Sequence, residues 1–134
     1  MTKTPARILI VDDERQNRQL LEVLLAADGY LLDMAASAEE ALAVVARQRP
    51  DLILLDVMMP GMDGYQVVAR IKANPDTAHI PVVMLTALDD RNSRSHGLSA
   101  GAAAFLTKPV DRTALQETVT RLLRPPVAPP ADDF

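Results

Sequence analysis

Four short apolar runs constrain this chain more than any other feature: "ILIV" at 8–11, "LILL" at 52–55, "VVML" at 82–85 and "AAAFL" at 102–106. None alternates polar with apolar residues, so each reads as a strand buried on both faces, the signature of a parallel sheet. A weaker fifth run, "YLLDMA", begins at Tyr30 after Gly29. Helical stripes separate them. Leu20, Leu21, Leu24 and Leu25 form the first, and Ala38, Ala41, Leu42, Val45 and Ala46 the second, with Ser37 as N-cap and Glu40 as its capping-box partner. Val67, Val68 and Ile71 form the third. The last stripe runs through Ala114, Leu115, Thr118, Val119, Leu122 and Leu123, with Asp111 placed to cap it. The fourth helical segment, within residues 89–101, is polar almost throughout; few apolar anchors imply low local stability. Strand and helix thus alternate five times, which predicts a doubly wound (βα)5 α/β fold, a three-layer sandwich around a five-stranded parallel sheet.

The 134 residues suit one domain with a real core. Aromatics make up 3% of the chain, so that core must be aliphatic. With no cysteine there is no disulfide, thiol catalysis or thiolate metal site. A net charge of −4 leaves no basic footprint, so no direct nucleic-acid binding is expected. The N-terminal apolar stretch, Ile8 to Val11, is stopped by three acids and is too short for a signal peptide or membrane span. The expectation is a cytoplasmic protein without membrane contact. After Arg124 the chain turns to "PPVAPPADDF", four of its ten prolines, which reads as a tail or the start of a linker over 125–134 behind a domain of residues 1–124.

In an open parallel sheet, functional groups gather beyond the carboxyl ends of the strands. Asp12, Asp13 and Glu14 follow the first run, Asp56 the third, Thr86 the fourth and Lys108 the last. Taken singly, an Asp here caps a helix or opens a turn, Thr86 caps, and Lys108 is a solvated charge. Jointly they are harder to dismiss. Carboxylates a few ångströms apart repel by roughly 4 kcal/mol at an effective dielectric near 20, so such a cluster calls for a cation. Hard oxygen donors without His or Cys point to Mg2+ or a similar ion such as Mn2+.

"VDDE", "LLDVMMPGMDG", "LTA" and "FLTKP", in this order and spacing, closely resemble the receiver domain of bacterial two-component response regulators, over about residues 6–124. The resemblance implies a flavodoxin-like sheet of strand order 2-1-3-4-5, in which Asp56 accepts a phosphoryl group from a sensor histidine kinase or phosphotransfer protein. It implies that Asp13 and Asp56 ligate Mg2+ with the backbone carbonyl of Met58, and that Asp12 acts through ordered water. Thr86 and Lys108 would contact the phosphoryl oxygens, Phe105 would be the switch aromatic, and the Lys108–Pro109 bond would be cis. A shifting face of fourth helix, fifth strand and fifth helix would then control a downstream protein or a C-terminal effector domain. Apolar Met58 and Leu88 imply slow self-dephosphorylation. Gly61 and Gly64 fit a tight turn rather than a phosphate cradle.

Two other function classes stand beside this one. A pseudo-receiver would keep the fold and bind partners without being phosphorylated; the complete acid, Thr and Lys set argues against it. An aspartate-nucleophile, Mg2+-dependent phosphatase of the haloacid-dehalogenase type needs a second aspartate two residues after the nucleophile, where this chain has Met58. The expectation is therefore a phosphoacceptor rather than a turnover enzyme. No effector motif lies within these residues, which fits a stand-alone regulator or the receiver of a longer protein. Arg91, Arg94, Asp111, Arg112, Glu117 and Arg121 mark a face that would serve a homodimer or simply be solvated.

Overall fold

A computed structural model describes residues 5–57, 64–86 and 100–123 of the chain. In chain order its elements are β1 (Arg7–Val11), α1 (Arg15–Ala26), β2 (Leu31–Ala35), α2 (Ala38–Arg47), β3 (Leu52–Asp56), α3 (Gly64–Ala73), β4 (Val82–Thr86), β5 (Ala104–Thr107) and α4 (Arg112–Leu123). The polar helical segment within 89–101 lies outside the described residues except for its last two positions, so α4 denotes the C-terminal helix. Met58, Gly61, Leu88, Arg91 and Arg94 also lie outside them.

All five strands are parallel, as the alternating pattern predicts, and their order β2-β1-β3-β4-β5 is the one the resemblance implies. The runs at 8–11, 52–55 and 82–85 form the middle of the sheet, where helices cover both faces. Leu9, Val11, Ile53, Leu55 and Met84 pack toward α2 and α3. Ile8, Ile10, Leu52, Leu54 and Leu85 pack toward α1 and α4. Alternation along each strand therefore feeds two separate cores, and truncating any of these residues to Ala would cost roughly 2–5 kcal/mol.

Three details depart from the sequence pattern. The last strand begins at Ala104 and is only half-buried, because it is the sheet edge; Ala102 is buried but precedes it. Leu20 is 49% exposed while Leu21 and Leu25 are buried, since four leucines span more of the α1 circumference than its buried face. Ser37 does cap α2 by accepting the Glu40 N–H, but the Glu40 carboxylate accepts from Ala36, one residue before the expected partner. Asp111 caps α4 through the Ala114 N–H.

Candidate phosphoacceptor site

Strand order reverses between β1 and β3, and their register pairs Val11 with Leu55. The residues just beyond, Asp12 and Asp56, therefore lie side by side at the topological switch point. β4 pairs Leu85 with Asp56, which sets Thr86 at the same edge. The Lys108 N–H donates to the Thr86 carbonyl at 2.7 Å, fastening the turn after β5 to the end of β4. The Lys108–Pro109 peptide bond is cis.

Side chains converge from these strand ends. Carboxylate oxygens of Asp12, Asp13 and Asp56 all lie within 4.8 Å of one another. Asp12 is fully buried and Asp56 is 5% exposed, whereas Asp13 faces solvent. The Lys108 ammonium lies 3.0 Å from Asp12 Oδ2 and 3.3 Å from Asp56 Oδ1. Burial by itself would lower the Lys108 pKa. The hydrogen bond to Asp12 and the charges of Asp56 and Asp12 outweigh it, so the ammonium is held above its ordinary value. Lys108 pairs with two of the three clustered carboxylates, and an all-oxygen donor set with surplus negative charge fits a hard divalent ion. Asp12 does not cap α1: its Oδ1 accepts the Glu14 N–H at 2.9 Å ahead of the helix, and the N-cap, Glu14, makes no side-chain capping bond.

Thr86 is 1% exposed, and strand alternation sets it with Val82 and Met84 on the α2/α3 side. Phe105, opposite Met84 in the adjacent strand, is partly buried against the same core. Beside the acids, Asp12, Lys108, Leu20, Leu21, Pro109 and Val110 border a cavity of about 90 Å3.

A model of the response regulator receiver domain matches residues 8–120. This chain belongs to that family. Receiver domains are signalling modules of two-component systems, in which phosphorylation and Mg2+ are typical. Response regulator PleD of Caulobacter vibrioides is 53% identical over 119 residues, which are 89% of this chain and 26% of PleD. The receiver spans about a quarter to a half of the length of the curated relatives it matches. A putative response regulator from Chloroflexus aurantiacus superposes with a TM-score of 0.87 at 38% identity, covering 90% of this chain and 98% of its own. The receiver domain of sensor histidine kinase PA1611 from Pseudomonas aeruginosa, with a magnesium ion coordinated in its active site cleft, gives 0.82 at 32% identity, covering 90% and 98%.

Two contacts of this receiver are not read from the sequence pattern. The Arg18 guanidinium donates to the backbone carbonyl of Asp12 at 2.7 Å. Its only signal is a cation near the N-terminus of α1, where the helix dipole disfavours one. Gly64 opens α3 so close to the end of β3 that a Cβ would stand 3.0 Å from the Asp56 carbonyl oxygen and 2.8 Å from Met84 Cε. Its N–H donates to the Val57 carbonyl at 3.1 Å, tying the start of α3 to the residue after Asp56.

Proposed function

We propose that this receiver, residues 1–124, accepts a phosphoryl group on Asp56 from the phosphohistidine of a sensor kinase or phosphotransfer protein. The observation that carries the reading is the pairing of a nearly buried Asp56 carboxylate with Lys108 inside a three-acid cluster at the switch point of the sheet. An Asp56 oxygen attacks phosphorus, the P–N bond breaks, and its electron pair leaves on the imidazole nitrogen, which takes a proton from solvent. A carboxylate is a competent nucleophile and needs no general base. Asp12, Asp13, Asp56 and the Met58 carbonyl would hold Mg2+, or Mn2+, which supplies charge neutralisation at the transferring phosphoryl group. Lys108 would pair with a phosphoryl oxygen, and Thr86 would donate to another. The domain assists its own phosphorylation and dephosphorylation and does not turn over a separate substrate.

The exposed Leu20, beside Pro109 and Val110 at the rim of the site, gives a phosphodonor an apolar surface to dock on. Thr86 and Phe105 share one face of adjacent strands, so a Thr86 drawn toward the phosphoryl group leaves space into which Phe105 turns. That population shift would reshape the surface of β5 and α4, through which a downstream protein, an effector domain beyond a proline-rich linker at 125–134, or a second copy would read the state. A cytoplasmic location follows from this chemistry; among the described residues no helix is long and apolar enough to cross a membrane. Incubation with a small phosphodonor and Mg2+ should add the mass of one phosphoryl group, and Asp56→Asn should abolish it. An unmodified wild-type chain would favour the pseudo-receiver.

A further inference from the structure

We propose that Arg18 is a positioning residue for the acid cluster, holding the Asp12–Asp13 peptide in the orientation that a divalent cation requires. The inference rests on the reading that these acids bind Mg2+.

Every polar atom of Asp12 is engaged. Its N–H donates to the Ala35 carbonyl at 3.1 Å, Oδ1 accepts from Glu14 and Oδ2 from Lys108. The remaining atom, the backbone carbonyl, takes the 2.7 Å bond from Arg18 Nη1. That oxygen belongs to the peptide unit that also carries the Asp13 nitrogen. Because the unit is planar, fixing its carbonyl fixes the direction in which the chain enters Asp13. Asp13 needs this help: it is exposed, and none of the described residues donates a hydrogen bond to its carboxylate. Its place within 4.8 Å of the other two acids therefore depends on its backbone.

The location of Arg18 supports a dedicated role. Its own N–H makes the first bond of α1, to the Glu14 carbonyl, so its side chain projects from the positive end of the helix dipole. The dipole disfavours a cation there, as it does Arg15 at the first position of α1, and Arg18 is held against it by the Asp12 carbonyl.

Charge and positioning predict opposite signs. Arg18 adds a positive charge beside a cation site, so on charge alone its removal tightens Mg2+ binding. If it orients the Asp12–Asp13 peptide, its removal weakens binding, and loss of a partner that orients metal ligands typically costs 10–100-fold. The test is calorimetric Mg2+ titration of the full chain as wild type, Arg18→Met and Arg18→Lys, with the Asp13 amide followed by NMR. Met keeps helix propensity and much of the stem, so an unchanged amide spectrum outside residues 11–18 certifies the fold. The expected result is a Kd about tenfold weaker in Arg18→Met, partial recovery in Arg18→Lys, and a displaced Asp13 amide before Mg2+ is added. Should Arg18→Met disturb the fold, Arg18→Gln, with its shorter amide donor, is expected to show the same weakening. Equal or tighter binding in a folded Arg18 variant overturns this inference alone. A wild-type chain that binds no Mg2+ overturns both it and the metal reading.

Discussion

Replacing Asp13 by Asn removes one charge from the cluster and almost no volume, so its effect isolates electrostatics. The three carboxylates carry three negative charges against the Lys108 ammonium, with the Arg18 guanidinium nearby on the Asp12 carbonyl. At a separation within 4.8 Å, each pair of carboxylates repels by about 3.5 kcal/mol at an effective dielectric near 20. Asp13 takes part in two such pairs. Attraction to Lys108 offsets part of that repulsion, and solvent around the exposed Asp13 screens most of the remainder, which leaves about 1–2 kcal/mol. In EDTA, Asp13→Asn should therefore unfold at higher urea than wild type. The assay is circular dichroism, because the chain has no tryptophan to report by fluorescence. Added Mg2+ should reverse the order: wild type gains about 2.7 kcal/mol at a hundredfold excess over its Kd, while the variant gains little. A variant no more stable than wild type in EDTA, and equally stabilised by Mg2+, would refute the charge-repulsion account.

Lys108→Met should act in the opposite direction, removing the cation paired with two buried carboxylates. A cost of about 2–4 kcal/mol in EDTA is expected, toward the low end because Lys108 is itself 21% exposed. The Lys108 pKa is raised, so the difference from wild type should be full below pH 10.5 and shrink only as pH rises through the still higher folded-state value; a difference that vanished near pH 8 would contradict the pairing. Gly64→Ala should cost about 1–3 kcal/mol in urea unfolding, because its Cβ presses on the Asp56 backbone, and it should also slow phosphorylation. An unaffected variant would show that this contact relaxes freely. Amide exchange over residues 89–100 should change when the phosphoryl analogue beryllofluoride binds; identical protection would remove this segment from the switch.

The sheet was legible because both-face burial leaves an unbroken apolar run, and the end of each run marked where polar groups meet. "LILL" stops at Asp56 and "VVML" at Thr86, and both are the last residues of their strands. Helix faces were less clear. A block of four leucines in α1 carries no indication of which one points outward, and the fold leaves Leu20 on the rim of the site. Apart from the Ser37 and Asp111 caps, contacts between side chain and backbone were invisible. Arg18 on the Asp12 carbonyl, the Thr77 hydroxyl on the Ile71 carbonyl and Lys72 on the Ala78 and Ile80 carbonyls have acceptors that every residue possesses. Periodicity reports which side chains avoid water, whereas these bonds link residues six to eight apart and depend on the path the backbone takes between them.

In the proposed phosphotransfer a single carboxylate, Asp56, becomes an acyl phosphate. Borohydride reduces a phosphorylated aspartate to homoserine, which marks the modified position for peptide mass spectrometry. After incubation with a small phosphodonor, homoserine should appear at position 56 alone, and only when Mg2+ is present. Homoserine at position 12 or 13, or at none of the three in an intact chain, would contradict it.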